Sequence, residues 1–179
     1  MGSVRSLLLC LITIASAVEV AADLVGTSSG RVHVERLEFV MGTVARVRVW
    51  GPDSVTCARA VNRGFEALHR ADSLMSTYRP DSDVSRLNGQ QPNRWVSVDP
   101  HTYRVIDRAV RIAADTDGAF DPTVLPLMRL WGFRGGLPRM PTAFAVDSAL
   151  VHVDYRKIEF DADDVRLRLG EGTVVDLGG

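Results

Sequence analysis

The sequence predicts an α+β fold: a mixed, largely antiparallel sheet with packed helices, incomplete at its C-terminal end. Three observations predict it. Residues Thr43–Trp50 alternate Arg46 and Arg48 with Val47 and Val49, the period of a strand with one wet face and one buried face. Residues 54–74 instead repeat apolar side chains every three or four positions, the period of a helix packed on one side. Lys157–Phe160 and Val165–Leu169 flank the polar stretch Asp161–Asp164, which reads as a hairpin. Helices and hairpins in one short chain point to segregated α and β elements rather than alternating βαβ units.

Each element follows from local chemistry. Residues 1–17, or 1–22, divide as an export signal: Arg5 is the positive end, Leu7–Ala15 the apolar core, and Ala15-Ser16-Ala17 the small-x-small cleavage pattern. The apolar run is shorter than the roughly 20 residues a membrane span needs. Cys10 follows Leu7-Leu8-Leu9 rather than the small residue that lipoprotein processing requires. Residues 18–31, with Gly26, Ser28, Ser29 and Gly30, read as a flexible lead-in.

Val32–Val40 and Thr43–Trp50 are two strands, with Met41-Gly42 at the bend between them. Asp53 or Ser54 caps the long helix, whose inward face is Val55, Ala58, Val61, Phe65, Leu68 and Ala71. A loop over Met75–Pro80 follows. Asp81 or Ser82 then caps a short helix that ends at Asn88-Gly89, a sequence suited to a left-handed terminus.

Trp95–Val98 is a brief strand, and Asp99-Pro100 opens a helix to about Ala114 that Thr116-Asp117-Gly118 closes. Pro122 and Pro126 break residues 119–133, which are expected to pack irregularly. Thr142–Leu150 is a further helix and Thr173–Leu177 a further strand, running into Gly178-Gly179. A strand entering Gly-Gly normally introduces another element. That predicts a sequence cut from a longer protein.

Composition excludes several functions. Hydrophobic residues make up 46% and charged residues 24% of the 179, and Lys plus Arg (21) nearly balance Asp plus Glu (22). A net charge of −1, with the arginines scattered, gives no basic face for nucleic acid. Two cysteines cannot form a disulfide framework or a four-thiolate zinc site, and Cys57 in its helical pattern reads as a buried structural thiol. The four histidines share no metal-ligand spacing. Asp161, Asp163 and Asp164 fit a solvated hairpin turn better than a calcium loop.

What remains is a set of aromatic, carboxylate and amide residues in irregular segments: Tyr78, Asn88, Phe120, Asp121, Trp131 and Asp176. A phenol can stack on a fused ring, while carboxylates and amides bind polar ring edges or sugar hydroxyls. By residue type, ordinary packing and capping explain the same set; Asp121 before Pro122 would serve as a helix cap.

Five segments containing these residues resemble, in order and separation, the FAD:protein FMN transferases, the ApbE-type flavin transferases also called thiamine biosynthesis lipoproteins. They are Met41-Gly42-Thr43, Met75-Ser76-Thr77-Tyr78 with Asp83–Asn88, Gly118–Val124, Leu130–Phe133 and Val175–Gly179. The resemblance covers about residues 35–179, the N-terminal half of a family member. It implies an enzyme that takes FAD as substrate, transfers FMN to a threonine hydroxyl of an acceptor protein with Mg²⁺ assistance, and releases AMP. The acceptor would be a subunit of a redox complex, and the enzyme exported to the periplasm or cell envelope, with membrane association left open.

By the same resemblance Tyr78 stacks on the isoalloxazine and Met41 borders it. Ala119, Phe120 and Asp121 hold the flavin or adenine portion, and Asp176 binds the flavin nucleotide. The Gly179 carbonyl contacts the metal. The family's remaining metal ligands and catalytic base fall downstream of Gly179, so residues 32–179 are expected to form an incomplete domain, inactive alone. An exported, non-catalytic flavin-binding protein is the alternative.

Overall fold

The computed structural model describes residues 24–28 and 31–177. The predicted signal segment, Cys10 and the Gly179 metal contact lie outside the described residues. Within them the chain is α+β, as the sequence predicts, with two three-stranded sheets, one ordered β1 (Leu24–Ser28), β2 (Arg31–Val40), β3 (Thr43–Gly51) and the other β4 (Val96–Ser97), β6 (Arg166–Leu169), β5 (Ile158–Asp161). It divides into two compact units, one holding residues through Glu38 and Ala45–Val61, the other Phe39–Val44 and Asn62 onward.

In the first unit β1 (Leu24–Ser28) pairs antiparallel with β2 (Arg31–Val40), in a register that sets Leu24 opposite Glu35. This corrects the flexible lead-in: Gly and Ser are weak strand formers, but the β2 edge supplies partners for their backbone groups. Strand β3 (Thr43–Gly51) completes the sheet. Glu35, nearly buried, accepts from the Arg48 guanidinium, and Arg46 lies 3.8 Å away. That bond to Arg48 holds the carboxyl below its ordinary range against the opposing effect of burial. Cys57 is fully buried, with its thiol 3.7 Å from the Val32 carbonyl, in keeping with a structural role.

The bend between β2 and β3 has left-handed φ at two successive residues, Met41 at 55° and Gly42 at 74°, the requirement of a tight hairpin whose twist matches its strands. Helix α1 (Ser54–Met75) follows. Asp53 caps it by accepting the Thr56 N–H at 2.8 Å. Its buried positions are Cys57, Val61 and Phe65, whereas Val55 is exposed. Of the predicted stripe Val61 and Phe65 are buried and Ala58, Leu68 and Ala71 half-buried; only Val55 fails, because a residue in the first turn precedes the part of the helix that is covered.

The second unit is built around the other sheet. Ser82 caps α2 (Asp83–Asn88) by accepting the Ser85 N–H at 3.0 Å. Gly89 ends α2 at φ −85°, right-handed rather than left-handed as predicted. Its N–H continues to the Ser85 carbonyl, so no reversal is needed there. Strand β4 (Val96–Ser97) leads to α3 (Pro100–Asp115), capped by the Asp99 carboxylate on the His101 N–H.

Thr102, Ile106, Ala109 and Ala113 form the buried stripe of α3. Ile106 joins Leu87, Val96, Ile158, Leu167 and Val175 in the core, where burying such a side chain stabilises by about 1.5–3 kcal/mol. Strands β5 (Ile158–Asp161) and β6 (Arg166–Leu169) form the predicted hairpin, and the Asp161 carboxylate accepts the Asp163 and Asp164 N–H groups at its turn.

Residues 119–133 do contain one regular element, α4 (Leu125–Leu130), because Pro126 falls in its first turn, where no intrahelical N–H is required. Thr142 caps α5 (Ala143–Leu150). Residues 173–177 are not the predicted strand. Val175 is fully buried, but its N–H donates to the Asn88 side-chain oxygen and its carbonyl accepts from the Asn88 amide, each at 2.8 Å. One amide side chain does the work of a neighbouring strand.

Candidate functional site

Two adjoining cavities lie in the second unit, and they share Val105 of α3 and Leu177. The larger, about 710 Å³, runs along α3 past Ile112 and is lined by Ala119, Phe120, Asp121 and Asp176. The smaller, about 290 Å³, is lined by Met41, Met75, Thr77, Tyr78 and Arg134. The six described residues that the resemblance assigns to a site, Met41, Tyr78, Ala119, Phe120, Asp121 and Asp176, thus border one of the two spaces, although they come from four separate segments; Asn88 and Trp131 border neither.

Local structure explains each placement. The left-handed hairpin bend projects Met41, half exposed. Tyr78 follows the C-terminus of α1, where the Ser76 hydroxyl accepts its N–H at 3.3 Å, and its ring is 78% exposed. Asp117 and Gly118, at φ 52° and 79°, reverse the chain after α3 and bring Ala119–Asp121 back along that helix. Asp176 is placed by the backbone: its N–H donates to the Pro122 carbonyl at 2.9 Å, next to the Asn88-held Val175.

The two carboxylates differ in employment. Asp121 Oδ1 accepts the Thr123 N–H at 2.7 Å and the Thr123 hydroxyl at 2.6 Å, and Oδ2 accepts the Tyr155 N–H at 3.0 Å. It lines the cavity, yet it also ties its own loop to Tyr155; it does not cap a helix as the sequence suggested, since α4 has Val124 at its N-cap and no side-chain cap bond. Asp176 meets a cation instead: Arg134 Nη2 lies 2.7 Å from Oδ1 and 2.6 Å from Oδ2. Both side chains are largely shielded, at 12% and 1% exposure. The same guanidinium sits 4.8 Å from the centroid of the Tyr78 ring, within cation–π range. Burial alone would push Arg134 down, but Tyr78 and Asp176 hold it above its ordinary value, so it stays charged at any working pH.

Sequence reasoning missed Arg134. It also missed Arg104 and Arg108, which border the larger cavity from α3. Their spacing of four beside the apolar Val105, Ala109 and Ile112 was a usable signal. Arg134 had none, because a single arginine in a Gly-rich turn has no period. Asn88 is committed to the Val175 backbone rather than open to a ligand. Among the described residues no group of three His, Cys, Asp or Glu could hold a metal ion, and no helix is long and apolar enough to cross a membrane.

The α+β scaffold that carries these cavities has been seen before. The ApbE family model matches residues 41–179, and the chain belongs to that family. The FAD:protein FMN transferase of Treponema pallidum is 31% identical over 142 residues, 77% of this chain and 39% of that protein. Among solved structures, the ApbE protein of Thermotoga maritima superposes with a TM-score of 0.74 at 34% identity, covering 82% of this chain and 47% of its own. The apo flavinyl transferase ApbE of Pseudomonas stutzeri gives 0.62 at 25% identity, covering 87% and 48%. The chain spans less than half the length of each.

Proposed function

We propose that the protein to which this chain belongs is a flavin transferase that binds FAD across the two cavities and transfers its FMN portion to a protein acceptor. One observation carries the reading: the family-matched segments around Met41, Tyr78, Ala119–Asp121 and Asp176 converge on two cavities that share a wall. A dinucleotide has two flat ends and a charged middle, and two adjoining spaces with an exposed phenol in one suit that shape. Met41 and Tyr78 would border the isoalloxazine, Ala119 and Phe120 would line the neighbouring portion of the ligand, and Asp176 would face the nucleotide. Asp121 would shape the wall rather than bind strongly, its oxygens being occupied.

In the finer reading a threonine oxygen of the acceptor attacks the flavin-side phosphorus, the pyrophosphate P–O bond breaks, AMP leaves, and the hydroxyl proton passes to a base. The described residues do not by themselves fit a Mg²⁺ site, so no step is assigned to the metal that the resemblance implies. The acceptor is proposed to be a redox-complex subunit. Export to the periplasm or cell envelope follows from the N-terminal signal pattern.

Titration of FAD into the full-length protein, followed by flavin fluorescence, tests the site. Tyr78→Ala is expected to weaken binding by about 1–3 kcal/mol, the range for loss of one stacking ring. Unchanged affinity removes Tyr78 from the site. Incubation with FAD, Mg²⁺ and a threonine-bearing acceptor should yield protein-linked flavin and AMP; binding with no transfer favours the non-catalytic alternative.

A further inference from the structure

Arg134 stands where the two cavities meet. It lines the smaller one beside Tyr78, while its partner Asp176 lines the larger, and Leu177 belongs to both. Its two close contacts to Asp176 come from a single nitrogen, Nη2, and a guanidinium carries five N–H donors. Asp176, with a side chain 1% exposed, is a shielded negative charge. A pyrophosphate entering that junction would be repelled by it unless a cation intervened.

From this we infer that Arg134 is a pyrophosphate-binding residue of the site, its guanidinium bridging Asp176 and the phosphate oxygens of the nucleotide. The inference rests on the flavin-nucleotide reading given above and adds a residue and a charge logic to it. A planar guanidinium suits the task because it can serve a carboxylate and a phosphate at once through different N–H groups. The ion pair then has a purpose beyond packing. Asp176 fixes the arm, and the arm carries a positive charge to the one place where a ligand spanning both cavities is negative.

Comparing FAD with riboflavin, which has the same ring and no phosphate, tests this in the full-length protein with EDTA present. Arg134→Gln is expected to weaken FAD binding about 10- to 100-fold, the effect of losing a charge-assisted contact, and to leave riboflavin affinity nearly unchanged. Arg134→Lys should restore part of the FAD affinity, and added salt should weaken FAD binding more in wild type than in Arg134→Gln. The double variant Arg134→Gln/Asp176→Asn removes both charges together. It should still lose FAD affinity selectively, but by less than Arg134→Gln alone because the repelling carboxylate is gone, and it keeps the test open where the single variant folds poorly.

Equal losses for FAD and riboflavin would overturn the inference, since Arg134 would then merely prop Tyr78, and so would no loss for either. A wild-type protein that binds neither flavin would overturn the parent reading, and a wild type that binds both with an indifferent Arg134 overturns only this one.

Discussion

Residues 119–123 and 173–177 border the same cavity, and each presents one aspartate, yet they are held in opposite ways. The first segment is fastened by its own acid: Asp121 accepts from Thr123 and from Tyr155, and the Thr123 hydroxyl in turn accepts the Asp154 N–H at 2.9 Å. The second is placed by its backbone, through Asn88 and the Pro122 carbonyl, and the Asp176 side chain pairs with Arg134. A carboxylate whose acceptors are filled by backbone donors builds a wall. One paired with a guanidinium, which carries further N–H donors, can share that partner with a ligand. Residue type and cavity lining do not separate the two cases; hydrogen-bond employment does.

Asp121→Ala should have the largest effect on this contrast. Removing the acceptor strands the Thr123 and Tyr155 N–H groups, and a loss of about 3 kcal/mol is expected in urea denaturation of the full-length protein. A loss below about 1 kcal/mol would mean that Asp121 is as dispensable to the fold as a ligand-binding residue is.

Next comes Asn88→Ala, which leaves the buried Val175 N–H and carbonyl unpaired, at a cost of about 2 kcal/mol. Faster amide exchange at Val175, with the α3 amides still protected, would show that this side chain stands in for a strand. Unchanged exchange would show that Asp176 is placed by something else.

The smallest effect is that of acid. Asp154, next to the Asp121 knot, is held below its ordinary value first by its bond to Arg156 and then by the Arg156 N–H. A carboxyl depressed in the folded state contributes stability above its unfolded value of about 3.9, and that contribution is lost as pH falls through the folded value. Stability should therefore decline below about pH 4, and Asp154→Asn should flatten that limb of the profile. An unaltered limb would assign the acid sensitivity to other depressed carboxyls, Asp161 among them, whose bond to Arg166 lies in the β5–β6 turn.

Much of the fold was legible in the sequence. The hairpin at Asp161–Asp164 and the caps at Asp53, Ser82 and Asp99 are all dictated by neighbours within a few positions. The misreadings share a cause. Leu24–Ser28 becomes a strand because β2 offers an edge, and Gly89 stays right-handed because its N–H still finds the Ser85 carbonyl. The site residues were legible as a set only through the family resemblance, since no periodicity links Met41 to Asp176.

By itself, then, the sequence determined where α1, α2, α3 and α5 run and how the first three of them are capped, because those follow from spacing and from side chains reaching their own backbone. The tertiary structure alone decided which polar groups are spent and which are available. Asn88 reaches Val175 across 87 residues, Arg134 reaches Asp176 across 42 and Asp121 reaches Tyr155 across 34. Such bonds depend on where packing brings distant loops, and local sequence carries no record of that meeting.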